Sequence, residues 1–69
     1  MPESVYKIIE LVGTSPDSWE AAAKAAVVKA AKTLRDLRIA ELTQLDMSLE
    51  DGKIVAYRAK VKLSFKYED

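Results

Sequence analysis

The 69-residue chain has no cysteine and no histidine. The first absence excludes a disulfide framework and any thiolate zinc site. The second removes the Ser-His nucleophile systems, the most frequent general base and every imidazole metal ligand. An excess of one charge is also lacking: 11 basic and 11 acidic residues cancel. No bulk field therefore draws the chain to nucleic acid or to a membrane surface, and neither is expected as a partner. No apolar run approaches the roughly 18 residues of a spanning helix. Residues 1–13 carry no basic region ahead of a long apolar stretch and no small-residue cleavage site, so a cytoplasmic location is expected. Glycine and proline number two each, and apolar residues make up 49%, which marks a globular chain rather than a disordered one. With no repeat or linker, residues 1–69 read as a single domain. A domain of this size buries only about 60% of the surface its unfolded chain exposes. Without a disulfide or a thiolate zinc site, it is expected to complete its core with copies of itself.

What is present reads as β-α-β-β. Residues 5–12 are β-branched and aromatic and end at Gly13, which predicts a strand. Its apolar residues fall on both faces: Val5, Ile9 and Leu11 on one, Tyr6, Ile8 and Val12 on the other. Such a strand is covered on both sides. Ser15 then predicts an N-cap with Pro16 in the first helical position. No glycine-rich phosphate spacing accompanies it. Trp19, Ala22, Ala23, Ala26, Ala30, Leu34 and Leu37 recur at three- and four-residue steps, predicting a helix over 16–36 with a mostly alanine stripe. Trp19 starts that stripe and reads as a packing residue. Residues 37–50 and 53–67 flank Asp51-Gly52, a two-residue hairpin turn signal. The fold class is α+β, a three-stranded antiparallel sheet of order 1-3-2 on one helix.

An unbroken register from that turn pairs Glu50 with Lys53 and Glu41 with Lys62. It puts Val55, Tyr57, Ala59, Val61, Leu63 and Phe65, with Ala40 and Leu42, under the helix. The opposite face then collects Ile39, Glu41, Leu45, Met47 and Leu49 with Arg58, Lys60, Lys62 and Lys66. A face this apolar marks an interaction surface.

Little chemistry is available. Glu10, Glu41 and Asp46 fall in predicted strands, where they read as paired or hydrogen-bonded carboxylates, and no catalytic residue is nominated. Asp46, Glu50 and Asp51 offer hard oxygens of the kind calcium takes, though not in an EF-hand spacing. They are the metal candidates. The cation row lacks interleaved aromatics and reads as pairing with carboxylates of neighbouring subunits rather than tracking phosphates.

Several runs together resemble the dodecin family. They are Val5-Tyr6-Lys7, Glu10-Leu11-Val12-Gly13-Thr14-Ser15, Trp19-Glu20-Ala21-Ala22, Thr33-Leu34, Glu41 and the closing Val61 to Phe65. The resemblance spans nearly the whole chain. It implies a hollow homododecamer with tetrahedral symmetry, no catalysis, and flavin bound in pairs at subunit contacts. Flavin-binding dodecins carry a stacking tryptophan where this chain has Ile39 and a hydrogen-bonding glutamine where it has Arg58. The Arg38-Ile39-Ala40 and Gln44-Leu45-Asp46-Met47 stretches are closer to a tryptophan-less branch that includes a calcium-binding dodecin. The expected ligand-binding residues are Ile39, Arg58, Leu45 and Met47. Arg58 would meet the anionic or polar part of a flavin-like or nucleotide-like guest, and Ile39 would form an apolar wall. The alternative is a structural oligomer with calcium at subunit contacts.

Overall fold

The computed structural model describes residues 3–67; Met1, Pro2, Glu68 and Asp69 of the expected 1–69 domain lie outside the described residues. Its elements are β1 (Tyr6–Ser15), α1 (Trp19–Ala31), β2 (Leu37–Glu50) and β3 (Lys53–Lys66). The sheet is antiparallel in the expected order β1-β3-β2.

Gly13, expected to end the first strand, lies inside it: Gly13, Thr14 and Ser15 pair with Ala59, Arg58 and Tyr57. The reason is the helix. A Cβ on Gly13 would stand 2.0 Å from the Ala22 carbonyl oxygen and 3.2 Å from the Ala26 methyl. A strand glycine here marks close backbone approach, not a break. The helix crosses the sheet on its smallest residues, and Ala22, Ala26 and Ala30 bury against Ala59, Val61 and Leu63. Among the described residues, only Val61 and Leu63 are large and fully enclosed, each contributing about 1.5–3 kcal/mol.

The helix is shorter than expected at both ends. Ser18, not Ser15, is the N-cap, and its Oγ accepts from the Ala21 N–H at 3.0 Å. Ser15 instead accepts from the Asp17 N–H at 3.0 Å, a turn within the connection. At the other end, the N–H groups of Thr33 and Leu34 reach back to the Ala30 carbonyl at 3.1 and 2.9 Å. Asp36, at φ 60°, then reverses the chain. Leu34 continues the apolar spacing but packs on the core from this turn rather than from the helix.

Asp51 and Gly52 have φ of 51° and 75°, as a two-residue turn with both central residues left-handed requires. From the turn, the register expected from the sequence holds at Glu50↔Lys53 and Leu49↔Ile54, and again from Leu42↔Val61 to Ile39↔Ser64. Between these stretches it slips by one residue. Val55 is extra on β3 and Thr43 is extra on β2, so Ser48, Asp46 and Gln44 pair with Ala56, Arg58 and Lys60. A one-residue slip exchanges faces. Leu45 and Met47, expected beside Arg58, instead pair with Ala59 and Tyr57 on the helix side, and Asp46 takes their place.

A 13-residue helix is about 20 Å long, whereas 14-residue strands reach about 47 Å. The hairpin therefore runs past its cover, and the molecule extends 54 × 20 × 15 Å. Leu42, Leu45, Met47 and Val55 lie on the helix side but stay 42–52% exposed.

Candidate functional site

The face turned away from α1 is an array of three-strand rows. Ile8–Ser64–Ile39 is followed by Glu10–Lys62–Glu41, then by Val12–Lys60–Gln44 and Thr14–Arg58–Asp46. Paired charges fill the middle and one end, and Lys66 opposite Tyr6 lies beyond the Ile8 row. Exposed apolar side chains stand beside the paired charges: Ile8 and Ile39 in the neighbouring row and Val12 between; Leu49 and Ile54, also exposed, fall with Met47 on the helix side near the hairpin tip. Ile39 is 64% exposed, so nothing within one chain covers it.

Arg58 and Asp46 form the strongest contact on this face. Nε of Arg58 donates to Oδ1 of Asp46 at 2.8 Å, and Nη2 donates to Oδ2 at 3.0 Å. The hydrogen bonds from Arg58 hold the Asp46 carboxyl below the usual carboxylate range. In return, Asp46 raises Arg58 above its ordinary value. Asp46 is also held from the opposite side of the sheet. Its carbonyl accepts the Trp19 indole N–H at 2.9 Å, and the Trp19 ring stands edge-on to Tyr57 with centroids 5.0 Å apart. Trp19 packs, as expected, and also anchors the slipped segment of β2. Thr43, the extra residue, donates to the Lys60 carbonyl at 3.3 Å and approaches Glu10 Oε2 at 3.5 Å. Glu41 and Lys62 are direct cross-strand neighbours, as expected. Among the described residues, however, the ion pairs are Arg58–Asp46 and Arg38–Asp36.

The four expected ligand residues are not brought together within one chain. Ile39 and Arg58 share the open face, but Ser64, the partner of Ile39, lies six residues along β3 from Arg58, a distance of about 20 Å. Leu45 and Met47 lie across the sheet. The expected metal residues are also separate. Glu50 and Asp51 sit at the hairpin tip, while Asp46 engages Arg58 through both oxygens. Among the described residues no group of three metal-ligating side chains occurs. The described acids of one chain do not converge toward the six to eight oxygens that calcium takes, and Ile39 offers no π face on which a flavin ring would stack.

Sequence reasoning missed the Asp46–Arg58 pair. A signal was available: apolar alternation runs Ala40, Leu42, then Leu45, Met47, changing phase across Thr43-Gln44. It also missed two surface concavities away from these residues. One, of about 330 Å³, lies between β1 and α1 and includes Gly13, Ala26 and Lys29. The other, of about 300 Å³, includes Lys7, Arg35 and Lys66. No described helix is long and apolar enough to cross a membrane.

The sequence model of one family, Dodecin, matches residues 5–68. The chain is 44% identical over 63 residues to the calcium dodecin of Mycobacterium tuberculosis, covering 91% of this chain and 89% of that one. The crystal structure of that relative, described as calcium-chelating with a novel calcium-binding site, superposes with a TM-score of 0.84 at 43% identity, covering 94% and 93% of the two chains. A dodecin of Thermus thermophilus is 37% identical over 65 residues, 94% of each chain. The structure of dodecin from Streptomyces coelicolor superposes with a TM-score of 0.93 at 39% identity, covering 100% of this chain and 99% of that one.

Proposed function

The chain belongs to the dodecin family, and from that premise we propose that it forms a non-catalytic homododecameric shell that holds a small flavin-like or nucleotide-like ligand at subunit contacts. The observation that carries this reading is the open face itself, where exposed Ile8, Val12 and Ile39 stand uncovered beside a ladder of charge. A surface of this kind is stable when covered. The separation of Ile39 from Arg58 within one chain supports a site assembled from more than one copy. With Ile39 in place of an aromatic ring, riboflavin loses the stacking that contributes about 0.5–1.5 kcal/mol beyond area burial. Ile39→Trp is expected to tighten it, measured by quenching of riboflavin fluorescence.

A second reading, calcium at subunit contacts, is favoured by the 44% identity to a calcium dodecin. The acids nominated for it do not converge within one chain, so such a site would draw oxygens from several copies. Native mass spectrometry of the untreated protein tests both readings. The expected result is a species of twelve times 7.7 kDa carrying small-molecule mass. Calcium mass alone would favour the second reading, and a bare assembly after incubation with flavin and calcium would contradict both.

A further inference from the structure

Three cations and three acids meet in the charged rows of the open face: Arg58, Lys60 and Lys62 against Asp46, Glu41 and Glu10. The sum is zero. Within it Arg58 is the most tightly committed, bonded through Nε and Nη2 to the two oxygens of Asp46 at 2.8 and 3.0 Å. A bidentate pair of planar groups fixes both in geometry. The guanidinium retains further N–H donors for a ligand, but it presents them from a pair without net charge. The main chain of Asp46 is fixed as well, its carbonyl accepting the Trp19 indole N–H at 2.9 Å, so the carboxylate reaches Arg58 from an anchored backbone.

We propose that Asp46 is the specificity-determining residue of this face: by cancelling Arg58 it selects a neutral, hydrogen-bonding ligand over a phosphorylated one. This rests on the reading of the open face as a ligand surface. It narrows the role read from the sequence, in which Arg58 would meet the anionic or polar part of the guest, to the polar part. Removing the carboxylate leaves the rows with one net positive charge beside the ligand. Removing the guanidinium leaves one net negative charge. The two changes must therefore move ligand preference in opposite directions.

The test titrates the assembled wild type, Asp46→Asn and Arg58→Gln with riboflavin, riboflavin 5′-phosphate and inorganic pyrophosphate. One unit of charge at a partly exposed site is expected to shift the ratio of phosphorylated to free riboflavin affinity about tenfold. The shift runs toward the phosphate in Asp46→Asn and away from it in Arg58→Gln. By calorimetry, Asp46→Asn should also gain pyrophosphate binding that the double variant with Arg58→Gln loses. If flavins bind and the ratio stays within about twofold in all three proteins, the role of Asp46 is overturned while the ligand-surface reading stands. If no flavin binds to any of them, the flavin-like guest is wrong and pyrophosphate decides. Binding by Asp46→Asn and not by wild type upholds the charge-selecting role; no gain overturns it. Should Asp46→Asn fail to assemble, the opposite shift in Arg58→Gln, or its absence with either probe, settles the matter.

Discussion

On the side covered by α1 the sheet is closed by shape. Gly13 admits the helix backbone, Ala22, Ala26 and Ala30 lie flat, and Ala59, Val61 and Leu63 are almost fully enclosed. On the other side the same three strands present alternating charge beside exposed Ile8, Val12 and Ile39. Beneath α1 the first face is complete within one chain and tolerates no added volume; past the helix it leaves Leu42, Leu45, Met47 and Val55 half-exposed. The second has one bidentate ion pair and otherwise waits for a partner. The difference locates function: substitutions on the covered face should act on folding, and those on the open face on ligand choice and assembly.

The sharpest way to break the comparison is to add atoms where the covered face has no room. Gly13→Val places a branched side chain against the Ala22 carbonyl, a backbone atom that cannot move aside. The expected cost is about 3 kcal/mol or more, read as loss of the cooperative urea transition. Removing atoms is the next largest effect. Leu63→Ala, at a fully enclosed position, should cost about 2–5 kcal/mol in the same measurement without altering ligand preference.

Acid sharpens the comparison from the open side. The Asp46 carboxyl is lowered in the folded chain by its hydrogen bonds with Arg58, so the pair stabilises fully above the unfolded carboxylate value. That stabilisation is lost as pH falls through the lowered folded value. Wild type should therefore exceed Asp46→Asn in melting temperature at neutral pH, with the gap closing below about pH 4. A gap that persists at low pH would show that the stabilisation is not ionic. The smallest effect is expected at Glu41, whose side chain is exposed in the single chain. There Glu41→Gln should cost below about 1 kcal/mol. A loss of about 3–5 kcal/mol, measured on the assembled protein by chemical denaturation, would mean that assembly buries its row.

Much of the covered face was legible in the sequence. The alanine stripe and the Asp51-Gly52 turn are local signals, and they lead to the strand order and to the Val61 and Leu63 core. Gly13 was misread because a strand glycine and a strand-ending glycine look alike until the crossing helix is known. Ser15 and Ser18 are equally good caps by residue type, and the pairing of Ser15 with Tyr57 decides between them. The open face was less legible, because the extra residues Thr43 and Val55 reverse the facing of everything between them. That slip moves Leu45 and Met47 away from Arg58 and brings Asp46 to it. No local propensity fixes such a bulge; it gains from long-range contacts, the bidentate pair on one face and the Trp19 anchor on the other.

The central claim, that the open face is completed by copies of the chain, is tested most directly by dilution. Light scattering and circular dichroism would be followed together down to micromolar concentration. A single folded species near twelve times 7.7 kDa, losing structure only as it dissociates, is the expected result. A stable folded monomer at micromolar concentration would contradict it.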